Sequence, residues 1–351
     1  MDLSPTPIRV GVLYDFPQGD GGALFERALR LGLDDATQHR PLDRPLDLVA
    51  KHARGLPLGS EHELVTAFDE LAATGVLAIV GPSISDNCLL AAPRADAHQV
   101  PSINYSGGER TRSAWMFHYQ LGSLEEEPVV LAERLATRGF RRAAVIYDQS
   151  PVGRRYFDRF DAALSRHGID LAASRAISAL ADTLGDTVRS LRASGADCLV
   201  YFGLGMASHA VAVALADEGW TVPVVANSAL MFGYIRPAWR DGWAGWEYLD
   251  QIADDNPQRL RLAELDAPAA AGPIGCTAYD IGRLLGTAVS HAEHLTRGGV
   301  AEALRGVKLL PATTGHPGTL MGFGHYDHAA LKGRYLVLRE WKDGRSLQVA
   351  D

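Results

Sequence analysis

The sequence has few cysteines and no long apolar run. Only three of its 351 residues are cysteine (Cys88, Cys198 and Cys276), and an odd number cannot pair completely within one chain. Their spacings match no set of zinc ligands, so we expect small buried thiols in a reducing compartment. No stretch approaches the ~18 consecutive apolar residues of a membrane-spanning helix, and we expect no direct insertion into a membrane.

The sequence also lacks a basic patch and a secretory leader. Lysine and arginine number 34 against 42 acidic residues, and the densest basic groups, residues 138–142 and 154–155, are short. Binding to nucleic acid is therefore not expected. The opening residues MDLSPTP contain neither a positive start nor an apolar stretch before a cleavage site. This favours a cytoplasmic protein, or a periplasmic or extracellular one if a leader has been removed.

The motifs of several enzyme classes are missing as well. The sequence contains no Gly-x-Ser-x-Gly elbow and no Walker loop. Gly203-Leu204-Gly205 is half of a dinucleotide fingerprint, and it leaves a Rossmann-like, nucleotide-using enzyme as the alternative function. His325, Asp327 and His328 could hold a metal, but a solvated turn is the better interpretation. We expect no catalytic residues, no metal and no cofactor.

What the sequence does contain is two arrays of strand–helix units in tandem. Residues 8–14 (IRVGVLY) form an apolar run that ends in the polar, glycine-rich stretch DFPQGDGG, and residues 143–147 (AAVIY) end similarly in DQSPVG. Ligands of open α/β sheets bind at the carboxyl ends of the strands. The pattern predicts an α/β protein with two Rossmann-like lobes, parallel sheets and a small-molecule cleft between the lobes. Residues 268–275 (PAAAGPIG) are expected to form a loop before a long helix that begins at about residue 278. Asp343-Gly344 is expected to form the turn of a final hairpin.

The order of these segments resembles the type I periplasmic-binding-protein superfamily, in its branched-chain amino acid and amide-sensor branch. The resemblance rests on six segments in register: residues 80–85 (VGPSIS), 100–103 (VPSI), 147–153 (YDQSPVG), 194–197 (SGAD), 279–280 (YD) and 343–344 (DG). It implies a first lobe of residues 7–120 plus 253–322 and a second of 121–252 plus 323–351, joined by three crossovers.

The resemblance also implies a non-catalytic protein whose lobes close around a ligand. It would act as the solute receptor of an ABC importer or as a cytoplasmic ligand sensor. Its partners would be a small-molecule ligand and either an ABC permease or a regulatory protein.

The predicted binding residues follow the strands of each lobe. In the first lobe they are Tyr14, Phe16, Ser83, Ile84, Ser85, Tyr105, Ser106, Gly107 and Gly108. In the second lobe they are Val152, Leu204, Asn227, Ser228 and Phe232. Ser85 and the start of the following helix would meet a carboxylate or carbonyl oxygen, although Ser85 or Asp86 could equally be a helix cap.

Three single residues and the pair Asn227-Ser228 depart from the pattern of amino-acid binders. Gly108 stands where the resemblance implies a hydroxyl residue, Val152 where tyrosine is frequent, and Leu204 where aromatic residues are common. Neither Asn227 nor Ser228 is the acidic residue that would meet an α-ammonium group, and burying an unpaired ammonium costs several kcal/mol. The sequence therefore predicts a hydrophobic or aromatic ligand with one or two polar groups, and weak binding of leucine, isoleucine, valine or glutamate.

Overall fold

The computed structural model describes residues 6–16 and 21–350. It divides into two compact units, the first comprising Met1–Leu121 with Ile252–Tyr335 and the second Gly122–Gln251 with Leu336–Asp351. The chain therefore changes unit at residues 121–122, 251–252 and 335–336.

The first part of the chain builds the sheet of the first unit. Its elements are β1 (Ile8–Tyr14), α1 (Gly22–Thr37), β2 (Leu46–His52), α2 (Glu61–Ala73), β3 (Ala78–Val80), α3 (Ser85–His98), β4 (Ser102–Ser106) and β5 (Met116–Gln120). The five strands are all parallel, in the order β2-β1-β3-β4-β5. Every residue of β3 and β4 is buried, and the continuous apolar run of β3 is typical of a parallel strand covered on both faces.

The middle of the chain builds most of the second unit. Its elements are α4 (Glu127–Thr137), β6 (Arg142–Asp148), α5 (Pro151–His167), β7 (Asp170–Ile177), α6 (Gly185–Arg192), β8 (Cys198–Phe202), α7 (Ser208–Asp217), β9 (Val224–Ala226) and β10 (Glu247–Asp250). Two 3₁₀ segments, Ser228–Tyr234 and Pro237–Trp243, lie between β9 and β10.

The last part of the chain completes both units. Its elements are α8 (Pro257–Leu265), α9 (Ala267–Ala270), α10 (Pro273–His291), α11 (Arg297–Gly306), β11 (Leu310–Pro311), β12 (Leu320–Met321), β13 (Leu331–Lys332), β14 (Val337–Lys342) and β15 (Arg345–Gln348). The second unit's sheet runs β15-β14-β10-β9-β8-β6-β7, with β14 and β15 antiparallel. Asp343 and Gly344 both have positive φ, which gives the predicted Asp-Gly hairpin its tight turn.

Two predictions about this last part were wrong. Residues 323–335 lie in the first unit rather than the second, because His118 of β5 exchanges backbone hydrogen bonds with His328 and Ala330, both 2.8 Å long. Residues 268–275 were predicted to be a loop, but they contribute to α9 and to the start of α10. Proline is accepted in the first turn of a helix, where its missing N–H would have no intrahelical partner.

The prediction of small buried thiols is confirmed. All three cysteines are free and buried. Within the described part of the chain, no helix is both long and apolar enough to cross a membrane.

Candidate functional site

A buried carboxylate organises the strand ends of the first unit. Asp15 follows β1 and is 4% exposed. It accepts hydrogen bonds from the Ser83 N–H (2.9 Å), the Ser83 hydroxyl (2.5 Å), the Ile84 N–H (2.9 Å) and the Asn87 side-chain amide (2.9 Å). Burial raises the pKa of the Asp15 carboxyl, although these hydrogen bonds oppose the shift. Asp15 thereby fixes the loop between β3 and α3 to the end of β1.

These hydrogen bonds engage polar groups of Ser83 and Ile84, two residues that the sequence predicts to contact a ligand. The Ser83 hydroxyl and the amides of Ser83 and Ile84 all donate hydrogen bonds to the Asp15 carboxylate. Gly81, which has φ +103° in the same loop, allows the chain to pass close to β1, since a Cβ there would lie 2.2 Å from the Leu13 carbonyl oxygen. Ser83 and Ile84 therefore shape the loop.

Ser85 lies at the same edge in a different setting. It is the first residue of α3, whose N-cap is Ile84 and which has no side-chain cap. The alternative that Ser85 or Asp86 caps the helix is therefore wrong. Ser85 is 6% exposed, and its hydroxyl makes no hydrogen bond to the residues that the structure describes. Its place beside the positive end of a helix suits it to an oxygen of a ligand.

The loop after β4 meets Ser85 through Gly108. A Cβ at Gly108 would lie 3.4 Å from the Ser85 Oγ, so a larger side chain there would cover the hydroxyl. Ser106 belongs instead to the interior of the unit. Its hydroxyl donates to the Asn104 Oδ1 (3.0 Å), and its carbonyl oxygen lies 2.7 Å from the His118 Nε2. Gly107 is half-buried between these two settings.

Aromatic rings cover the ends of β1, β2 and β4. Tyr14 stacks on His52 with ring centroids 4.9 Å apart, and Phe25 of α1 stacks on Tyr105 at 4.7 Å. The two pairs contact each other edge to face through Tyr14 and Phe25, whose ring centroids are 6.1 Å apart. Burial raises the pKa of Tyr14 to about 12, so its hydroxyl stays protonated. Phe16, one of the predicted contacts, is half-buried.

A buried carboxylate also organises the strand ends of the second unit, at the end of β6. Asp148 is 1% exposed and accepts hydrogen bonds from the Leu204 N–H (2.7 Å) and the Tyr201 hydroxyl (3.3 Å). Gly203 is needed beside it, because a Cβ there would lie 2.3 Å from the Asp148 Oδ1. The loop between β8 and α7 is therefore fixed to β6 as the loop between β3 and α3 is fixed to β1.

Asn227 and Ser228 follow β9, and both are engaged within the unit. The Asn227 side chain accepts a hydrogen bond from the Gly203 N–H (3.3 Å) and donates one to the Gly203 carbonyl oxygen (3.0 Å). The amide and hydroxyl of Ser228 both donate to Glu127, at 2.8 and 3.0 Å.

Glu127 is a buried acid that the sequence analysis missed. It is fully buried, and it also accepts hydrogen bonds from the Ser123 N–H (2.6 Å) and the Tyr156 hydroxyl (3.4 Å). Burial raises its pKa to about 7 against the opposing effect of these donors. Its partner Ser228 lies 101 residues away along the chain, so no local pattern reveals the pair.

The remaining predicted contacts of the second unit separate into two groups. Val152 packs into the hydrophobic core of the unit. Leu204 is half-buried, and Phe232 is 5% exposed beneath the Arg236 guanidinium, 5.5 Å from the ring. A Cβ at Gly205, the residue after Leu204, would lie 2.8 Å from the Phe232 ring, so the backbone of this loop packs closely on Phe232. Val152, by contrast, lies in the core.

The described residues contain no group of histidine, cysteine and acidic side chains that could hold a metal ion. The three residues weighed as metal ligands have other contacts. His328 stacks on Phe117, Asp327 pairs with Lys332, and His325 lies 3.6 Å from Glu302.

Comparison with solved structures gives the same fold over nearly the whole chain. An ABC transporter substrate-binding protein from Desulfitobacterium hafniense in complex with Leu has a TM-score of 0.80 at 19% identity, over 98% of this chain and 100% of that chain. A leucine-binding protein from Thermotoga maritima gives 0.81 at 16% identity, over 98% of both chains. A branched-chain amino acid transporter substrate-binding protein from Streptococcus pneumoniae, in complex with isoleucine, gives 0.83 at 15%, over 98% of this chain and 100% of that chain.

A comparison with curated proteins finds no match. The family model described as "Periplasmic binding protein" matches residues 7–345. This match confirms the prediction of a non-enzymatic solute-binding protein over that of a nucleotide-using enzyme. The chain, with its two α/β units, belongs to the periplasmic binding protein family.

Proposed function

We propose that the solute of this protein is a small organic molecule with an apolar or aromatic body and one or two polar groups. The observation that carries the proposal is the setting of Ser85. Its hydroxyl lies at the start of α3, beside Gly108 and without a partner among the described residues. The ring cluster of Tyr14, Phe25 and Tyr105 covers the ends of neighbouring strands of the same sheet. Ser85 supplies the polar contact, and the rings supply apolar surface.

Three of the buried carboxylates argue against an α-amino acid. An α-ammonium group buried in a site needs a carboxylate partner. Asp15, Asp148 and Glu127 all accept hydrogen bonds from neighbours in their own units. Gly108 also lacks the hydroxyl that would hold the carboxylate of an amino acid.

Calorimetry with a small panel tests the proposed ligand class. We expect phenylacetate, cyclohexanecarboxylate and benzamide to bind more tightly than leucine, isoleucine and glutamate. Asp86 and Glu109 are the acidic residues nearest to Ser85 and Gly108 along the chain, and Asp86→Asn is the informative variant. Tight leucine binding that is lost in Asp86→Asn, with no binding of the other set, would contradict the proposal.

We also propose that the solute-loaded protein acts on a protein partner, either the permease of an ABC importer or a regulatory protein. Its membership of the periplasmic binding protein family supports the first of these. Deletion of the gene, followed by measurement of solute uptake, separates the two. Loss of uptake is expected for an importer, whereas unchanged uptake with altered gene expression would indicate a sensor.

A further inference from the structure

Glu127 lies where three parts of the second unit converge. The chain enters this unit at Gly122, and the connecting segment of residues 122–126 leads into α4, which Glu127 begins. The carboxylate accepts a hydrogen bond from the Ser123 amide in the connecting segment and another from the Tyr156 hydroxyl in α5. It accepts two more from the amide and hydroxyl of Ser228, which follows β9.

The connecting segment is fitted around this carboxylate. Gly122 has φ +82°, a conformation that glycine adopts without strain. A Cβ at Gly122 would lie 2.2 Å from the Glu127 Oε1 and 2.4 Å from the Ser228 Oγ. The entry of the chain into the unit and the loop after β9 are therefore packed against the same carboxyl group.

We propose that Glu127 is a positioning residue, which holds the connecting segment at Ser123 and the loop at Ser228 in one arrangement and so sets the affinity for solute. The effect on affinity rests on the proposed function and on the prediction that Asn227 and Ser228, in the loop after β9, contact the solute. The structural effect does not rest on it. Glu127 acts through Ser228 and need not touch the solute.

The carboxylate form is the one that satisfies all of these donors. Three donors share the Oε1, and the Ser228 amide meets the Oε2. Glutamine replaces one oxygen with an NH₂ group, which cannot accept a hydrogen bond and faces at least one of the donors. Protonation of one oxygen has a similar consequence, and burial brings the pKa of Glu127 to about 7.

Among the residues that the structure describes, few other titratable groups bear on this carboxyl. Tyr156 of α5 donates a hydrogen bond to it. Glu125, in the connecting segment, forms an ion pair with Arg155, and its charge helps to raise the pKa of Tyr156. The segment after β9 contributes the amide and hydroxyl of Ser228. A change near neutral pH is therefore expected to report on Glu127 itself.

Amide hydrogen exchange tests the proposal without any ligand. In Glu127→Gln we expect at least one of the Ser123 and Ser228 amides, which meet different oxygens of Glu127, to exchange about tenfold faster, the factor for loss of one hydrogen bond to a charged group. Glu133→Gln is the matched control, because Glu133 is exposed on the same helix. Unchanged exchange at both amides in Glu127→Gln would overturn the proposal.

The wild-type protein provides a second measurement if Glu127→Gln does not fold. Between about pH 8 and pH 5.5, after correction for intrinsic exchange, we expect protection of at least one of the two amides to fall as the carboxyl takes up a proton. A flat corrected profile would overturn the proposal.

Calorimetry with phenylacetate then tests the effect on affinity. We expect about tenfold weaker binding in Glu127→Gln, with less pH dependence than in the wild type, and unchanged binding in Glu133→Gln. Faster exchange with unchanged affinity would overturn the role of Glu127 in solute binding. If phenylacetate fails to bind the wild type, that result counts against the proposed function, and exchange alone decides the role of Glu127.

Discussion

Buried carboxylates organise the strand ends of both units, and they explain why residue-level predictions succeeded only in part. Asp15 lies at the end of β1, and Asp148 is the last residue of β6. Each accepts hydrogen bonds from the loop that follows the adjacent strand of its sheet, which is β3 for Asp15 and β8 for Asp148. Ser83 lies 68 residues from Asp15, and Leu204 lies 56 residues from Asp148. The sequence shows polar residues after strands, but it does not show which of them are already satisfied by one another.

Ser85 and Ser83 form a matched pair for testing this distinction. Ser85→Ala should weaken solute binding by about 1–3 kcal/mol and leave the melting temperature nearly unchanged, because its hydroxyl has no partner among the described residues. Ser83→Ala should instead lower stability by about 1–3 kcal/mol, since it removes a donor from the buried Asp15 carboxylate. Calorimetry and thermal unfolding measure both. The reverse pattern would show that Ser85 is structural.

Glu127 should also give stability a dependence on pH. Its pKa is about 7 in the folded protein and 4.5 when unperturbed, so folding favours the protonated form. The contribution is fully present below about pH 4.5 and is lost as the pH rises through about 7, on the order of 3 kcal/mol in all. Urea unfolding at several pH values should therefore show a smaller loss of stability on raising the pH in Glu127→Gln than in the wild type. Parallel curves for the two proteins would contradict this assignment.

At the scale of elements, the sequence predicts strands better than helix starts. β3 is part of a continuous apolar run, VLAIV, and such a run is readable without knowledge of its neighbours. The start of α10 was placed too late, because Pro273 and Gly275 look like loop residues. Gly275 is required by a neighbour instead, since a Cβ there would lie 2.2 Å from the Ala269 carbonyl oxygen. That contact depends on how α9 meets α10.

The packing of α1 against α10 depends on small residues on both helices. A Cβ at Gly32 would lie 2.1 Å from the Tyr279 carbonyl oxygen, and one at Gly282 would lie 2.3 Å from the Leu29 carbonyl oxygen. Gly32→Ala should therefore destabilise the protein by about 1–3 kcal/mol or more, because the helices must move apart. Gly306→Ala, at the end of α11 with open space around it, is the control and should be neutral. Equal unfolding midpoints for the two variants would argue against this close packing.

At the scale of the whole molecule, the tandem arrays were the strongest signal in the sequence. The two mainly parallel sheets and the three changes of unit follow from the order of segments, which is a property of the entire chain. The assignment of residues 323–335 was wrong because it depends on hydrogen bonds to β5, more than 200 residues earlier in the chain. The identity of the solute is harder still to predict, since it depends on a few side chains whose contacts are distant in sequence.

The central claim is that the solute has an apolar or aromatic body and that the Ser85 hydroxyl supplies its polar contact. Calorimetry of phenylacetate with Ser85→Ala and a control variant tests it most directly. We predict that Ser85→Ala weakens binding of phenylacetate by about tenfold or more, whereas Leu180→Ala, at an exposed leucine, leaves it unchanged. Full affinity for phenylacetate in the Ser85→Ala variant, with folding intact, would contradict the account.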